Sequence, residues 1–116
     1  MPMILHITSR EEWQSAQHAG IYRAASLESE GFIHCSTVPQ VVRVANAFFA
    51  GQNGLVLLCL DEARLQSELR YDMLDTGEAF PHLYGPLNLD AVVQVLDFEP
   101  GRDGQFELPL ALRYQE

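Results

Sequence analysis

Apolar and polar positions follow three different rhythms along the chain, and each predicts a different kind of element. Residues 3–8, Met-Ile-Leu-His-Ile-Thr, are apolar at nearly every step and predict a short strand. Ser9-Arg10-Glu11-Glu12 has the spacing of a capping box, so a helix follows, with Trp13, Ala16 and Ala19 on one face and Gly20 as its stop. Residues 21–31 are polar and irregular and predict a loop that includes Tyr22 and Arg23. Residues 31–36 predict a second strand, whose alternation sets Phe32, His34 and Ser36 on one face and Ile33 and Cys35 on the other.

Thr37-Val38-Pro39-Gln40 repeats the capping-box spacing, with proline in the first turn where its missing amide costs nothing. The helix predicted over residues 38–50 buries Val41, Val42, Ala45, Phe48 and Phe49 and ends at Gly51. Residues 55–60 are apolar on both faces, the pattern of a central buried strand. Asp61 caps a short turn near residues 62–65, residues 69–74 read as a strand, and Asp75-Thr76-Gly77 as a turn. Pro81, Gly85 and Pro86 predict an irregular, rigid path over residues 79–90. Residues 91–98 read as a strand, and Arg102-Asp103-Gly104 turns the chain into a last strand over 105–112. With two helices early and most strands late, the pattern predicts one α+β domain over residues 1–116, its sheet mixed and mostly antiparallel.

Composition narrows the chemistry. The chain has 116 residues, 16 acidic against 7 basic, for a formal charge of -9. Without a basic run to meet phosphate backbones, direct nucleic-acid binding is not expected. No stretch is long and apolar enough for a membrane span, and the start lacks the pattern of a secretory signal. Cys35 and Cys59 therefore read as free thiols in a reducing cytoplasm.

Against that background the histidines stand out. His6, His34 and His82 all lie among apolar neighbours, in MILHIT, GFIHCST and AFPHLYGP, whereas His18 sits in a polar helix and reads as exposed. An imidazole in such a place is a satisfied core group or a working part of a site, because its reference pKa of about 6.5 lets it exchange protons near neutrality. Ser36 and Thr37 are explained as helix caps, but the helix start they mark also offers free amides to an anion. Cys35 is turned from His34 by the alternation, which argues against a thiol nucleophile. Three readings stay open on residues alone: a ligand-binding or catalytic site, a non-catalytic interaction module with structural histidines, and a histidine-ligated metal-dependent enzyme. The histidine spacing matches no compact zinc pattern.

His6-Ile7-Thr8, Gly31-Phe32-Ile33-His34-Cys35-Ser36-Thr37, Ala45-Asn46-Ala47-Phe48-Phe49 and Phe80-Pro81-His82-Leu83-Tyr84-Gly85-Pro86-Leu87, in that order, resemble the family named domain of unknown function 952. The resemblance spans nearly the whole chain. It implies an ADP-ribosyltransferase-like fold, two small sheets around a cleft with two main helices, and NAD or an ADP-ribose-type nucleotide as ligand of a possible transferase. On that resemblance His6 and Thr8 would meet a ribose, although Ile7 stands where the transferases carry glycine. His34, Ser36 and Thr37 would form the second ligand-binding segment, and Tyr84 would stack on a ring. His82 would supply the acid, base or orienting group, making His6, His34 and His82 the catalytic candidates.

Overall fold

The computed structural model describes residues 3–113. In chain order its elements are β1 (Met3–Ser9), α1 (Arg10–Ala19), β2 (Ile21–Tyr22), α2 (Ala25–Ser29), β3 (Ile33–His34), α3 (Val38–Phe48) and β4 (Leu55–Asp61). There follow β5 (Glu68–Met73), β6 (Ala79–Tyr84), β7 (Leu87–Asn88), β8 (Val92–Phe98) and α4 (Leu110–Arg113). The strands form three antiparallel sheets, ordered β1-β4-β8, β2-β7 and β3-β6-β5. A single bridge, Leu5 to Ser36, ties the edge of β1 to the chain leaving β3. The expected α+β class with mostly antiparallel strands describes this architecture.

β4 is buried along its whole length because it lies between β1 and β8 and is covered on both faces. On one side Val56, Leu58 and Leu60 join Ile4, Ile33, Leu83, Leu87, Tyr22 and Ala16 in a core that reaches from the first sheet to the other two. On the other, Leu55, Leu57 and Cys59 pack with Leu5, Val41, Ala45, Phe98 and Phe106. Apolar side chains thus fill the space between the first sheet and β3-β6-β5, where a cleft was expected.

The capping signals mark both helix starts, although Glu12 Oε1 takes the Thr8 and Ser9 hydroxyls and not the Ser9 amide. Ser9 Oγ accepts the Glu12 amide at 3.0 Å, and Gly20 closes α1 with φ 82°, a left-handed conformation that glycine adopts without penalty. The Thr37 amide donates to Gln40 Oε1 at 3.0 Å, the reciprocal half of the second box. On α3, Val41 and Ala45 are buried, but Phe48 is 78% exposed and Phe49 only half-buried. The helix ends at Phe48, which lies off the core face that Ala45 and Phe49 share.

Three segments depart from expectation. The predicted loop 21–31 contains β2 and the short α2, with Tyr22 buried. The predicted last strand 105–112 is an irregular segment leading into α4, its Phe106 stacked on Phe98 at 4.7 Å. The most consequential departure is at residues 79–84, read as a rigid loop and found as β6, the middle strand of its sheet. Proline is usually excluded there because it cannot donate to the ladder. In an antiparallel strand one residue's N–H and C=O point to the same neighbour, and the Pro81 carbonyl accepts the Cys35 amide at 3.1 Å. Pro81 has no amide to return that bond, and the β3 ladder stops at His34. Proline thus sits on the side of β6 where its partner strand ends.

Candidate functional site

Strand register brings two of the three candidate histidines together. His34 on β3 lies directly opposite His82 on β6, and His82 directly opposite Arg70 on β5. Because Cys35 and Pro81 form the hydrogen-bonded pair, the adjacent His34–His82 pair is of the other kind, in which side chains approach more closely. Their rings stand edge to face with centroids 5.4 Å apart. Alternation explains the direction they take. Ile33 and Leu83 point into the core, so His34, His82, Arg70 and Tyr84 crowd the outward face of β3-β6-β5.

Each imidazole has a carboxylate. His82 Nδ1 lies 2.7 Å from Asp72 Oδ2, and the Tyr84 hydroxyl donates to the same oxygen. Those two hydrogen bonds, the tyrosine's first, hold the Asp72 carboxyl below the usual carboxylate range. His34 Nε2 lies 3.1 Å from Glu30 Oε2. Phe32 stacks on His82 at 4.0 Å, so the His82 side chain is 8% exposed while the His34 side chain keeps 55% of its surface. Among the described residues, His82 Nε2 has no hydrogen-bond partner, yet no buried side-chain nitrogen or oxygen is left unpaired. That nitrogen therefore reaches solvent. The Arg70 guanidinium lies 4.5 Å from the Tyr84 ring centroid and is also paired with Glu68 at 2.8 Å.

His6 occupies a different environment. Its ring shares with Ile4 and Thr8 the face of β1 turned to the inter-sheet core, and it is 7% exposed. Nδ1 lies 2.6 Å from the His34 carbonyl oxygen and Nε2 2.7 Å from the Tyr22 hydroxyl. Burial is the main reason its pKa falls from 6.5 to about 4, against weaker upward pulls from the His34 carbonyl and Glu12. The ring is therefore neutral. A carbonyl can only accept, so the proton is on Nδ1 and Nε2 accepts from Tyr22. The single Tyr22 hydroxyl proton has a second taker in Thr8 Oγ1 at 3.0 Å, and Thr8 in turn donates to Glu12 Oε1 at 3.2 Å.

The remaining candidates are dispersed. Thr8 and Ser36 are buried, and Ser36 spends its backbone on the Leu5 bridge. Thr37 stands at the start of α3 and is half-buried. A groove of about 400 Å³ lies away from the histidine pair, lined by Glu11, Glu12, Ser15, Tyr22 and Arg23 beside α1. Three histidines lining one cleft is thus not the arrangement: two share an open sheet face, and the third joins them through a backbone carbonyl. Among the described residues no group of three or more His, Cys, Asp or Glu side chains converges as metal ligands would. Cys35 is buried, and burial pushes its thiol up to about 12, which leaves it inert as a nucleophile.

Sequence reasoning missed Asp72, Glu30 and Arg70, the partners that orient and charge the pair. Alternation in residues 68–73 (Glu-Leu-Arg-Tyr-Asp-Met) places Arg70 and Asp72 on one strand face, a signal present in the sequence. That this face lies beside His82 could be found only after 79–84 was known to be a strand.

Residues 7–95 match the family described as "Protein of unknown function (DUF952)". The crystal structure of protein CC0527 from Caulobacter crescentus aligns with a TM-score of 0.87 at 35% identity, covering 95% of this chain and 97% of that one. The solution NMR structure of CC0527 aligns with a TM-score of 0.84 at 34% identity, covering 99% and 100%. No curated protein matches the chain.

Proposed function

The chain belongs to the DUF952 family, and from that premise we propose that it binds NAD or an ADP-ribose-type nucleotide on the outward face of β3-β6-β5. The observation that carries this reading is the cross-strand row His34–His82–Arg70. In a chain of net charge -9 it sets three side chains able to bear positive charge side by side, and a phosphate would meet the exposed Arg70 and His34 and reach His82 only through Nε2. The Arg70–Glu68 pair is exposed, and solvent screens such pairs, so Arg70 is free to exchange its partner for a ligand phosphate. Its departure would also uncover the Tyr84 ring for a base.

The same geometry suits proton transfer in a nucleotide-directed transferase. Asp72 holds His82 by Nδ1 and leaves Nε2 toward solvent, the nitrogen that would take or give a proton at the reacting group. His34, held by Glu30 and half-exposed, would serve as its counterpart. His6, Thr8 and Ser36 lie beneath this surface and would support it rather than touch ligand.

The test is a melting-temperature screen of NAD, ADP-ribose and inorganic phosphate, repeated with His82→Ala and Asp72→Asn. A ligand that binds only the folded state at 100 times its dissociation constant stabilises it by about 2.7 kcal/mol. The expected result is a rise for at least one nucleotide that both variants lose. No rise with any of them, or a rise that both variants keep, would refute the proposal.

A further inference from the structure

We infer that His6 is a positioning residue for the His34–His82 pair, acting through the backbone of β3 and not through contact with ligand. The inference rests on the reading of that pair as the working site. It begins with the shortness of β3: two residues, Ile33 and His34, carry one imidazole of the pair. On the β6 side, Ile33–Leu83 and Cys35–Pro81 are the hydrogen-bonded positions, so the His34 carbonyl points the other way, toward β1. No strand ladder supplies it with a donor. The β1–β3 connection is the single Leu5–Ser36 bridge, with amide-to-carbonyl distances of 2.8 Å in both directions, two residues further on. His6 Nδ1, 2.6 Å from the carbonyl oxygen, takes the place of the missing ladder.

The His6 environment keeps that nitrogen a donor. The His34 carbonyl can only accept, which puts the ring proton on Nδ1; the one proton of the Tyr22 hydroxyl is shared between Nε2 and Thr8 Oγ1, and Thr8 donates in turn to Glu12 at the start of α1. The Tyr22 ring packs edge-on to His6 at 5.2 Å and fixes its plane. A buried imidazole with a fixed plane and a single permitted tautomer holds the His34 backbone at one rotation about the strand axis. That rotation decides whether the His34 ring faces His82.

Asparagine and glutamine separate the two nitrogens of His6. Asparagine carries an amide N–H near the Nδ1 position, and glutamine near that of Nε2. Histidine ring ¹⁵N spectra of the unmodified protein should show His6 as the Nδ1–H tautomer, unchanged from pH 7 to 5. His6→Asn should keep the nuclear Overhauser contact between the His34 and His82 rings, and His6→Gln should lose it. Dissociation constants for ADP-ribose should stay within about threefold in the first and rise at least tenfold in the second. An Nε2–H tautomer, or two variants with the same ring contact, would overturn the inference, and the tautomer test needs no variant to fold. If ADP-ribose binds neither variant nor parent while the ring contacts behave as stated, the nucleotide reading fails and the positioning role of His6 stands.

Discussion

Acid should destabilise this protein through His6 in a way that one substitution removes. The unfolded ring takes up its proton near the ordinary value of 6.5, whereas the folded ring, desolvated by burial, does so at about 4. Between those values the unfolded chain holds a proton that the folded one refuses, so stability falls as pH falls through that window. At about 1.4 kcal/mol per tenfold change in proton concentration, the loss from pH 7 to pH 4 amounts to about 3 kcal/mol. With unfolding entropy of about 2.1 cal/mol/K per residue, 1 kcal/mol moves the midpoint of a chain this size by about 4 °C, so the whole effect is about 12 °C. Urea unfolding of the parent and of His6→Asn, at half-unit steps from pH 7 to 4, isolates the term. The carboxylates held low by their partners, Asp72 and Glu78 among them, also lose stabilising contacts as pH falls, but they do so in both proteins. The difference between the two curves belongs to His6, and it should shrink by about 3 kcal/mol toward pH 4. Parallel curves would refute the reasoning, because they would mean that the buried ring titrates as it does in the unfolded chain.

Two further outcomes rest on packing. Burial pushes the Cys35 and Cys59 thiols up to about 12 and about 11, so a disulfide-exchange reagent at pH 8 should label neither until denaturant is added; rapid labelling of the native protein would contradict their placement. Gly85 has φ 157°, and a Cβ there would lie 2.4 Å from Ser67 Oγ and 2.8 Å from Ser67 Cβ. Gly85→Ala should therefore cost about 1–3 kcal/mol by thermal melting, and Ser67→Gly in the same chain should recover part of it; an unchanged midpoint in Gly85→Ala would show that the β6–β7 connection does not approach Ser67 as described.

The outward face of β3-β6-β5 shows why the site was only partly legible. His34 and His82 could be marked in the sequence because polar rings among apolar neighbours need a reason. Their carboxylate partners could not, because Asp72 and Glu30 are ordinary surface residues until register sets them beside an imidazole. Pro81 concealed the strand that carries His82. Proline is excluded from a strand only when its missing amide is needed, and whether it is needed depends on where the neighbouring strand ends.

Determined by the sequence alone were the features that rest on local chemistry and periodicity. The caps at Ser9 and Thr37, the amphipathic reach of α1 and the first turns of α3, the double-sided burial of β4 and the α+β class all follow from side-chain spacing. The tertiary structure alone decided which faces meet. It turned the His6 ring to the core and the His34 and His82 rings outward, because a bond from β1 to the His34 carbonyl and a pairing from β3 to β6 use opposite edges of one short strand. It left Phe48 in solvent and filled the space between sheets with leucine, isoleucine and valine. Register and packing are sums over contacts distant in sequence, and no window of neighbouring residues contains them.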